Sequence, residues 1–168
     1  DEAPARELRP IGEIQVLGEG VVLPAARVFE GVQVAVVVPA LDEERFIGRV
    51  LATLPPIVDL AVAVDDGSRD GTAEAARTAA CNVPLLVIRH GVPRGVGAAI
   101  EAGYRTALAR GADVIAVMAG DGQMDPADLP ALVTAAQGCG GYAKGNRFMH
   151  AGRAVMPAWR RTGSRGLG

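Results

Sequence analysis

The chain has 168 residues, a formal net charge of −2 and two widely separated cysteines, Cys81 and Cys139. Its length predicts a single domain with its own core. The charge argues against nucleic acid as the main partner, and the cysteine spacing fits neither a disulfide framework nor a zinc site. Because we find neither a signal-peptide layout nor an apolar run of roughly 18 to 20 residues, we expect a cytoplasmic protein that does not span a membrane.

The first part of the chain, residues 1–33, is interpreted as an N-terminal extension. Two short β-like pieces, residues 13–16 and 21–23, alternate there with Gly and Pro. We expect this extension to pair or pack weakly.

A regular alternation of strands and helices begins at Val34. Apolar runs rich in Val and Ile predict central parallel strands at residues 34–38, 60–64, 85–88 and 114–118. Apolar residues at helical spacing predict helices at residues 47–54, 72–79 and 96–108, and a further helix after Pro126. Acidic residues mark the helix starts, at Asp42, Asp70 and Asp125.

This alternation predicts an α/β fold with a mainly parallel sheet and helices on both faces. A short strand at residues 142–146 is expected to join the edge of the sheet. Residues 34–148 are interpreted as one domain, and residues 149–168 as a C-terminal segment that is truncated or mobile. The periodic pattern fades in this segment, so we expect the sequence to be a fragment.

Acidic residues follow three of the predicted strands. They lie at 42–44, at 65–66 and at Asp121. Ligands of open α/β sheets bind at the carboxyl ends of the strands, where strand ends and helix starts form a crevice. Three such acidic ends together indicate a site for a nucleotide and a metal ion.

Five motifs in a fixed order resemble the family 2 glycosyltransferases with the GT-A (Rossmann-like) fold, in particular the dolichol-phosphate mannose synthases and related polyprenyl-phosphate sugar transferases. The motifs are Val-Pro-Ala-Leu-Asp-Glu-Glu at 38–44, Val-Asp-Asp-Gly-Ser-Arg-Asp-Gly-Thr at 64–72, Arg-Gly-Val-Gly-Ala-Ala at 94–99, Asp-Gly-Gln at 121–123 and Lys-Gly-Asn-Arg at 144–147. The likeness covers residues 34–147. One motif alone would be weak evidence, but the five together are specific.

The resemblance implies an inverting enzyme that moves a hexose of the glucose or mannose type. The implied donor is a UDP- or GDP-sugar, the implied acceptor is a polyprenyl phosphate or another small acceptor, and the implied cofactor is Mg²⁺ or Mn²⁺. Asp121 and Gln123 match the metal-binding motif and offer the oxygen ligands that such cations accept. Family members commonly carry Asp-x-Asp here, whereas this chain has Ala119, so one carboxylate near the metal is missing.

The resemblance also assigns nucleotide and sugar contacts to other residues. Asp66 is expected to face the base and ribose, with Asp65 as a weaker candidate. Lys144 and Arg147 are expected beside the diphosphate and the donor sugar, with Arg147 and Asp121 as catalytic candidates. The segment that lines the base is matched by Pro39, Ala40 and Glu43.

Arg94 and Gly97 belong to a glycine-rich helix start, where backbone amides and a guanidinium group can hold phosphate oxygens. The alternative for Arg94 is a solvated side chain. Asp42 and Glu44 are interpreted as helix-start charges. His90 and His150 are interpreted as surface or packing residues and not as catalytic bases.

Other functions fit the sequence less well. The chain lacks a complete G-x-G-x-x-G fingerprint in a first βαβ unit and contains no P-loop. A nucleotide-sugar-binding domain with impaired catalysis remains the alternative, because Ala119 replaces an acid. The arginines after His150 indicate either peripheral contact with an anionic membrane or a solvated tail. The base, sugar, acceptor and oligomeric state stay open.

Overall fold

The computed structural model describes residues 15–17, 31–139 and 141–145. Its strands are β1 (Gln15–Leu17), β2 (Val34–Ala40), β3 (Leu60–Asp65), β4 (Leu85–Arg89) and β5 (Val114–Val117). Its helices are α1 (Ile47–Ala52), α2 (Thr72–Arg77), α3 (Val96–Ala109) and α4 (Leu129–Cys139), with a 3₁₀ turn at Pro126–Asp128 before α4. The four predicted central strands are present, with ends that differ by one or two residues.

The strands form one sheet in the order β1-β4-β3-β2-β5. Neighbours from β4 to β5 are parallel, while β1 pairs antiparallel with β4, with Val16 opposite Ile88. The mainly parallel sheet predicted from the sequence is therefore confirmed. Of the two β-like pieces predicted near the N-terminus, residues 21–23 lie outside the described residues.

Two apolar layers cover the two faces of the sheet. Alternate residues of the strands point to opposite faces, so Val36 and Val38 belong to one layer and Ala35 and Val37 to the other. Residues from α1, α2 and α4 fill the first layer, including Ile47, Leu51, Ala76 and Leu129. Residues from α3 fill the second, namely Ala99, Ala102 and Ala107. Helices thus pack on both faces, as predicted.

Asp42 does not start α1, so that prediction is wrong. The helix begins at Ile47, after a turn in which the Phe46 and Ile47 amides donate to the Glu43 carbonyl. Asp42 has a φ of 56°, a conformation that Asp tolerates better than most residues, and its carboxylate accepts a bond from the Arg69 amide. Its side chain is therefore engaged by the neighbouring loop.

The other two predicted helix starts are close to the observed ones. Asp70 lies one residue before the N-cap of α2 and accepts a bond from the Thr72 amide. Asp125 is the N-cap of the 3₁₀ turn, with Pro126 next, and accepts a bond from the Ala127 amide at 3.0 Å. Both carboxylates satisfy amides that a helix leaves unpaired at its start.

The strand predicted at residues 142–146 is wrong for the part that the structure describes. Residues 142–145 have no strand conformation, and Asn146 lies outside the described residues. Tyr142 is 80% exposed, and glycines flank this segment at 141 and 145. Glycine weakens a strand because its backbone loses more entropy on ordering and it has no side chain to pack.

None of the helices within the described ranges combines the length and apolar character needed to cross a bilayer.

Gly103 sets how closely α3 approaches the sheet. A β-carbon at this position would lie 2.2 Å from Val37 Cγ1, and Val37 is fully buried in a central strand. We expect Gly103→Ala to lower the free energy of unfolding by about 1 to 3 kcal/mol through overpacking, measured by urea denaturation. Gly48→Ala in α1 is the matched control, because its β-carbon would make only an ordinary 3.6 Å contact, with the Ala75 carbonyl of α2. The control should be neutral or stabilising by up to about 1 kcal/mol. Equal effects of the two variants would contradict the proposed close approach.

Candidate active site

The loops that follow the parallel strands meet at one edge of the sheet. At the carboxyl ends of the strands, Ala40 pairs with Asp65, which pairs in turn with Arg89. Backbone bonds continue beyond the strands, from the Asp66 amide to the Ala40 carbonyl at 2.9 Å and from the His90 amide to the Asp65 carbonyl at 2.9 Å. The ladder therefore fixes where the first residues of the loops lie.

The β2–α1 and β3–α2 loops are joined by side-chain bonds to backbone amides. The Asp42 amide donates to Ser68 Oγ at 2.9 Å, and the Glu43 amide donates to Thr72 Oγ1 at 2.8 Å. In the opposite direction, the Arg69 amide donates to Asp42 Oδ1 at 2.8 Å. Glu44 joins the same contact, because its carboxylate accepts a bond from the Gly71 amide. Asp42 and Glu44 thus connect the β2–α1 loop to the β3–α2 loop. The sequence analysis interpreted them as helix-start charges and did not predict this connection.

Asp65 is buried, and its carboxylate contacts other residues of the protein. It is 2% exposed, its Oδ1 accepts a bond from the Ser68 amide at 2.9 Å, and its Oδ2 lies 3.1 Å from Arg89 Nε. Arg89 also donates to the Ser68 carbonyl. These contacts hold the turn after β3, and Arg89 was not singled out in the sequence. The nucleotide contact predicted for Asp65 stays a prediction.

Asp66 holds the β4–α3 loop. Its Oδ1 accepts bonds from His90 Nδ1 at 2.7 Å and the Arg94 amide at 3.0 Å, and its Oδ2 accepts one from the Gly95 amide at 2.7 Å. Burial raises the pKa of Asp66, but the bonds from His90, Arg94 and Gly95 outweigh it, so the net pKa lies below its usual value. The structure gives Asp66 an anchoring role, while its contact with a base or ribose stays a prediction.

His90 is 1% exposed, in agreement with the packing role expected from the sequence. Its specific partner could not be predicted, because Asp66 and His90 are 24 residues apart.

Arg94 and Gly97 flank the start of α3 and are both exposed. Gly95, the N-cap between them, has a φ of 93°, which favours glycine. The first amides of a helix point outward without partners in the helix, so this end of α3 suits an anion. The phosphate contacts of Arg94 and Gly97 stay predictions.

The loop after β5 carries the predicted metal ligands. Asp121 is half-buried, and its Oδ1 accepts a bond from the Gln123 amide at 2.9 Å, while the Gln123 side chain is exposed. Gly120 packs tightly on β2, because a β-carbon there would lie 3.0 Å from Ala40 Cβ. This packing brings the loop close to the β2–α1 loop.

Several carboxylates gather where these two loops meet. Burial raises the pKa of Glu43, and the negative charges of Asp121, Asp70 and Asp42 raise it further. Among the described residues, however, no group of three or more His, Cys, Asp or Glu side chains is arranged to hold a metal ion. Metal binding by Asp121 and Gln123 therefore stays a prediction.

The remaining predicted contacts differ in how far the structure describes them. Pro39 is half-buried, whereas Ala40 is 6% exposed and packs inside, so its contact with a nucleotide is a prediction only. Lys144 is exposed beyond α4, and its place beside the diphosphate stays a prediction. Arg147 lies outside the described residues.

With this geometry established, a family model provides the decisive comparison. Residues 35–161 match the model described as "Glycosyl transferase family 2". The chain belongs to this family. The family resemblance seen in the sequence is thereby confirmed, and the chain is a glycosyltransferase domain of the family 2 type.

Two relatives with assigned names are polyprenol enzymes. An undecaprenyl-phosphate mannosyltransferase of Micrococcus luteus is 36% identical over 61% of this chain and 44% of its own length. A polyprenol monophosphomannose synthase of Mycolicibacterium smegmatis is 33% identical over 75% of this chain and 49% of its own length. The chain thus spans about half the length of the curated relatives it matches.

A solved structure supports the fold. The crystal structure of glucosyl-3-phosphoglycerate synthase from Mycobacterium tuberculosis with phosphoglyceric acid has a TM-score of 0.50 and 27% sequence identity. The match covers 62% of this chain and 39% of the synthase chain. The GT-A type of fold predicted from the sequence is confirmed.

Gly67 allows the loop after β3 to contact the loop after β4. Its φ is 77°, and a β-carbon would lie 2.6 Å from the backbone of Val92 and Pro93. We expect Gly67→Ala to lower the free energy of unfolding by about 2 to 4 kcal/mol, from strain and overpacking together. Gly95→Ala is the control, because Gly95 also has a positive φ but an added β-carbon would meet no atom within 4 Å. We expect it to lower the free energy of unfolding by only about 1 to 2 kcal/mol in the same urea denaturation experiment. A Gly67 variant as stable as the Gly95 variant would contradict this contact.

Glu43 should make the folded protein less stable when it is ionised. Because its pKa is raised on folding, its favourable contribution is present below the usual value of 4.5 and is lost as pH rises through the folded-state pKa. We therefore expect Glu43→Gln to be more stable than wild type at pH 7 in metal-free buffer, with a gain that vanishes below about pH 4.5. Denaturation curves across this pH range measure the difference. Glu101→Gln, on exposed α3 surface, should give no such gain, and a Glu43→Gln variant that is less stable at pH 7 would refute the prediction.

Proposed function

We propose that this protein transfers a hexose of the glucose or mannose type from a UDP- or GDP-sugar to a polyprenyl phosphate or another small acceptor, with Mg²⁺ or Mn²⁺ as cofactor. The observation that carries the proposal is the convergence of the Glu43, Asp66, Arg94 and Asp121 loops at one sheet edge in a family 2 chain. The names of the mannosyltransferase relatives support the lipid-phosphate acceptor.

The donor nucleotide would lie across the β2 and β3 ends. In this arrangement Pro39, Ala40 and Glu43 line the base, and Asp65 and Asp66 form the floor beneath it. Arg94 and the first amides of α3, including that of Gly97, would face the diphosphate. Lys144 and Arg147 are proposed beside the diphosphate and the sugar, with Arg147 and Asp121 as the catalytic residues.

The donor set near Asp121 fits a divalent cation. Mg²⁺ is commonly held by one or two carboxylates together with substrate phosphates and water, so we propose Asp121 and Gln123 as its protein ligands. Burial raises the pKa of Glu43, and the negative charges of Asp121, Asp70 and Asp42 raise it further; a cation here would offset the part due to charge. When bound, the metal supplies positive charge that stabilises the departing diphosphate.

The transfer replaces one bond of the sugar by another. The bond between the anomeric carbon and the diphosphate oxygen breaks, and the electron pair leaves with the nucleoside diphosphate. An oxygen of the acceptor forms the new bond, on the opposite face if the reaction inverts the anomeric centre. A phosphate acceptor is already an anion, so it needs little help from a general base.

Ala119 supports one other function, a nucleotide-sugar-binding domain with impaired catalysis. Such a domain would bind the donor but release no nucleoside diphosphate when a polyprenyl phosphate is added. The transferase would release it in proportion to the acceptor consumed.

A thermal-shift panel tests donor and metal together. UDP, GDP, CDP and dTDP and their sugars are each added with and without Mn²⁺ to wild type, Asp121→Ala and the control Asp128→Ala, which removes an exposed acid from the following 3₁₀ turn. We expect one nucleotide, at about 100 times its dissociation constant, to stabilise wild type by about 2.7 kcal/mol in a metal-dependent manner. Asp121→Ala should lose this effect and Asp128→Ala should keep it. If no nucleotide shifts the melting temperature, or if both variants lose the shift equally, the proposal fails.

A further inference from the structure

The His90 side chain is buried and makes its hydrogen bond to Asp66. It follows β4 directly, and its amide is held by the Asp65 carbonyl at 2.9 Å. The side chain is fully buried, and Nδ1 lies 2.7 Å from Asp66 Oδ1. The other ring nitrogen, Nε2, is buried without a hydrogen-bond partner in the part of the chain that the structure describes. Within that part, the ring therefore acts through Nδ1 and Asp66.

The Asp66 carboxylate in turn determines the backbone at the start of α3. Its two oxygens accept bonds from the amides of two consecutive residues, Arg94 and Gly95. Gly95 has a positive φ and is the N-cap of α3, and as a glycine it has no side chain of its own to cap this helix end. The orientation of one buried carboxylate thus sets the path of the chain into the helix.

We propose that His90 is a positioning residue: by orienting the Asp66 carboxylate, it fixes Arg94 and the first amides of α3 in the arrangement that receives the donor diphosphate. A carboxylate can rotate about the bond between its Cγ and its β-carbon. The two amides alone do not prevent a rotation that changes both of their hydrogen bonds to Asp66 together. A third donor on Oδ1 restricts this rotation. This inference rests on the proposed function, because it assigns the diphosphate to this loop.

Two variants separate the hydrogen bond from the packing. His90→Leu fills much of the same space without a donor. In His90→Asn, the side-chain amide nitrogen is attached to Cγ, as Nδ1 is in histidine, so this variant can restore the bond to Asp66. Ile88→Ala serves as the control for general loss of stability, since Ile88 is fully buried in β4 and is not part of the Asp66 contacts.

Amide hydrogen exchange of the full chain without ligand tests the positioning itself. In His90→Leu we expect the Arg94 and Gly95 amides to exchange about tenfold faster or more, and in His90→Asn to return close to wild-type rates. Ile88→Ala should leave these two amides close to wild type under conditions where the protein stays folded. Unchanged exchange in His90→Leu, or equal acceleration in Ile88→Ala, would overturn the inference.

Ligand titration tests the consequence for the donor site. The probes are the nucleoside diphosphate that stabilises wild type in the thermal-shift panel and the corresponding nucleoside, which lacks the phosphates. We expect His90→Leu to weaken diphosphate binding about tenfold, to change nucleoside binding by less than about twofold, and to be rescued by His90→Asn. Equal weakening of both ligands would place the effect at the base and ribose, and would overturn the inference. If wild type binds no nucleotide, the proposed function fails, and the exchange rates alone decide whether His90 positions the loop.

Discussion

The buried Asp66 carboxylate is the constraint on which the shape of this sheet edge depends. A buried ion is costly unless hydrogen bonds replace its hydration, and here three donors from two loop residues and a histidine do so. These bonds connect the end of β3 to the loop after β4. Gly67 can follow Asp66 only because it lacks a side chain where the backbone of Val92 and Pro93 approaches. The anchored charge thus holds the entry into α3, and it acts together with Gly67 to keep the two loops in close contact.

The acids at this edge divide into two groups by their partners. Asp65 and Asp66 are inside and hold neighbouring loops, so their bonds serve the fold. Glu43 and Asp121 lie nearer the surface, and the pKa of Glu43 is raised first by burial and then by the negative charges of Asp121, Asp70 and Asp42. Groups whose pKa is shifted by burial and by a specific charged neighbour are enriched at functional sites.

The sequence predicted the fold better than the roles of single residues. Strands buried on both faces of a parallel sheet give continuous apolar runs, and a helix with one buried face gives apolar residues at helical spacing. The strands and α3 were therefore predicted. The strand predicted at 142–146 was wrong over the described residues 142–145, where Gly145 and the exposure of Tyr142 outweigh the short apolar character. Asp42 was assigned to a helix start because Asp commonly caps helices, yet its partner is Arg69, 27 residues away. Hydrogen bonds between residues far apart in sequence, such as that of Asp66 with His90, leave no periodic signal in a single sequence. Gly67 and Gly103 allow close contacts with other elements, and this role became recognisable only once the neighbouring strands and loops were placed.

The replacement at Ala119 bears on how donor and metal would bind in the proposed reaction. Alanine has no carboxylate to offer a cation, and the Ala119 amide donates to Met124 Sδ at 3.4 Å. Gly120 packs closely on Ala40 of β2, and Asp121 beside it is near enough to Glu43 for its charge to raise the Glu43 pKa. With one carboxylate and one amide from the 121–123 loop, a divalent cation would obtain much of its ligand charge from the diphosphate itself. Metal and donor would then stabilise each other in the site. This linkage would be reciprocal, because the binding free energy that the metal adds to nucleotide binding must equal the binding free energy that the nucleotide adds to metal binding.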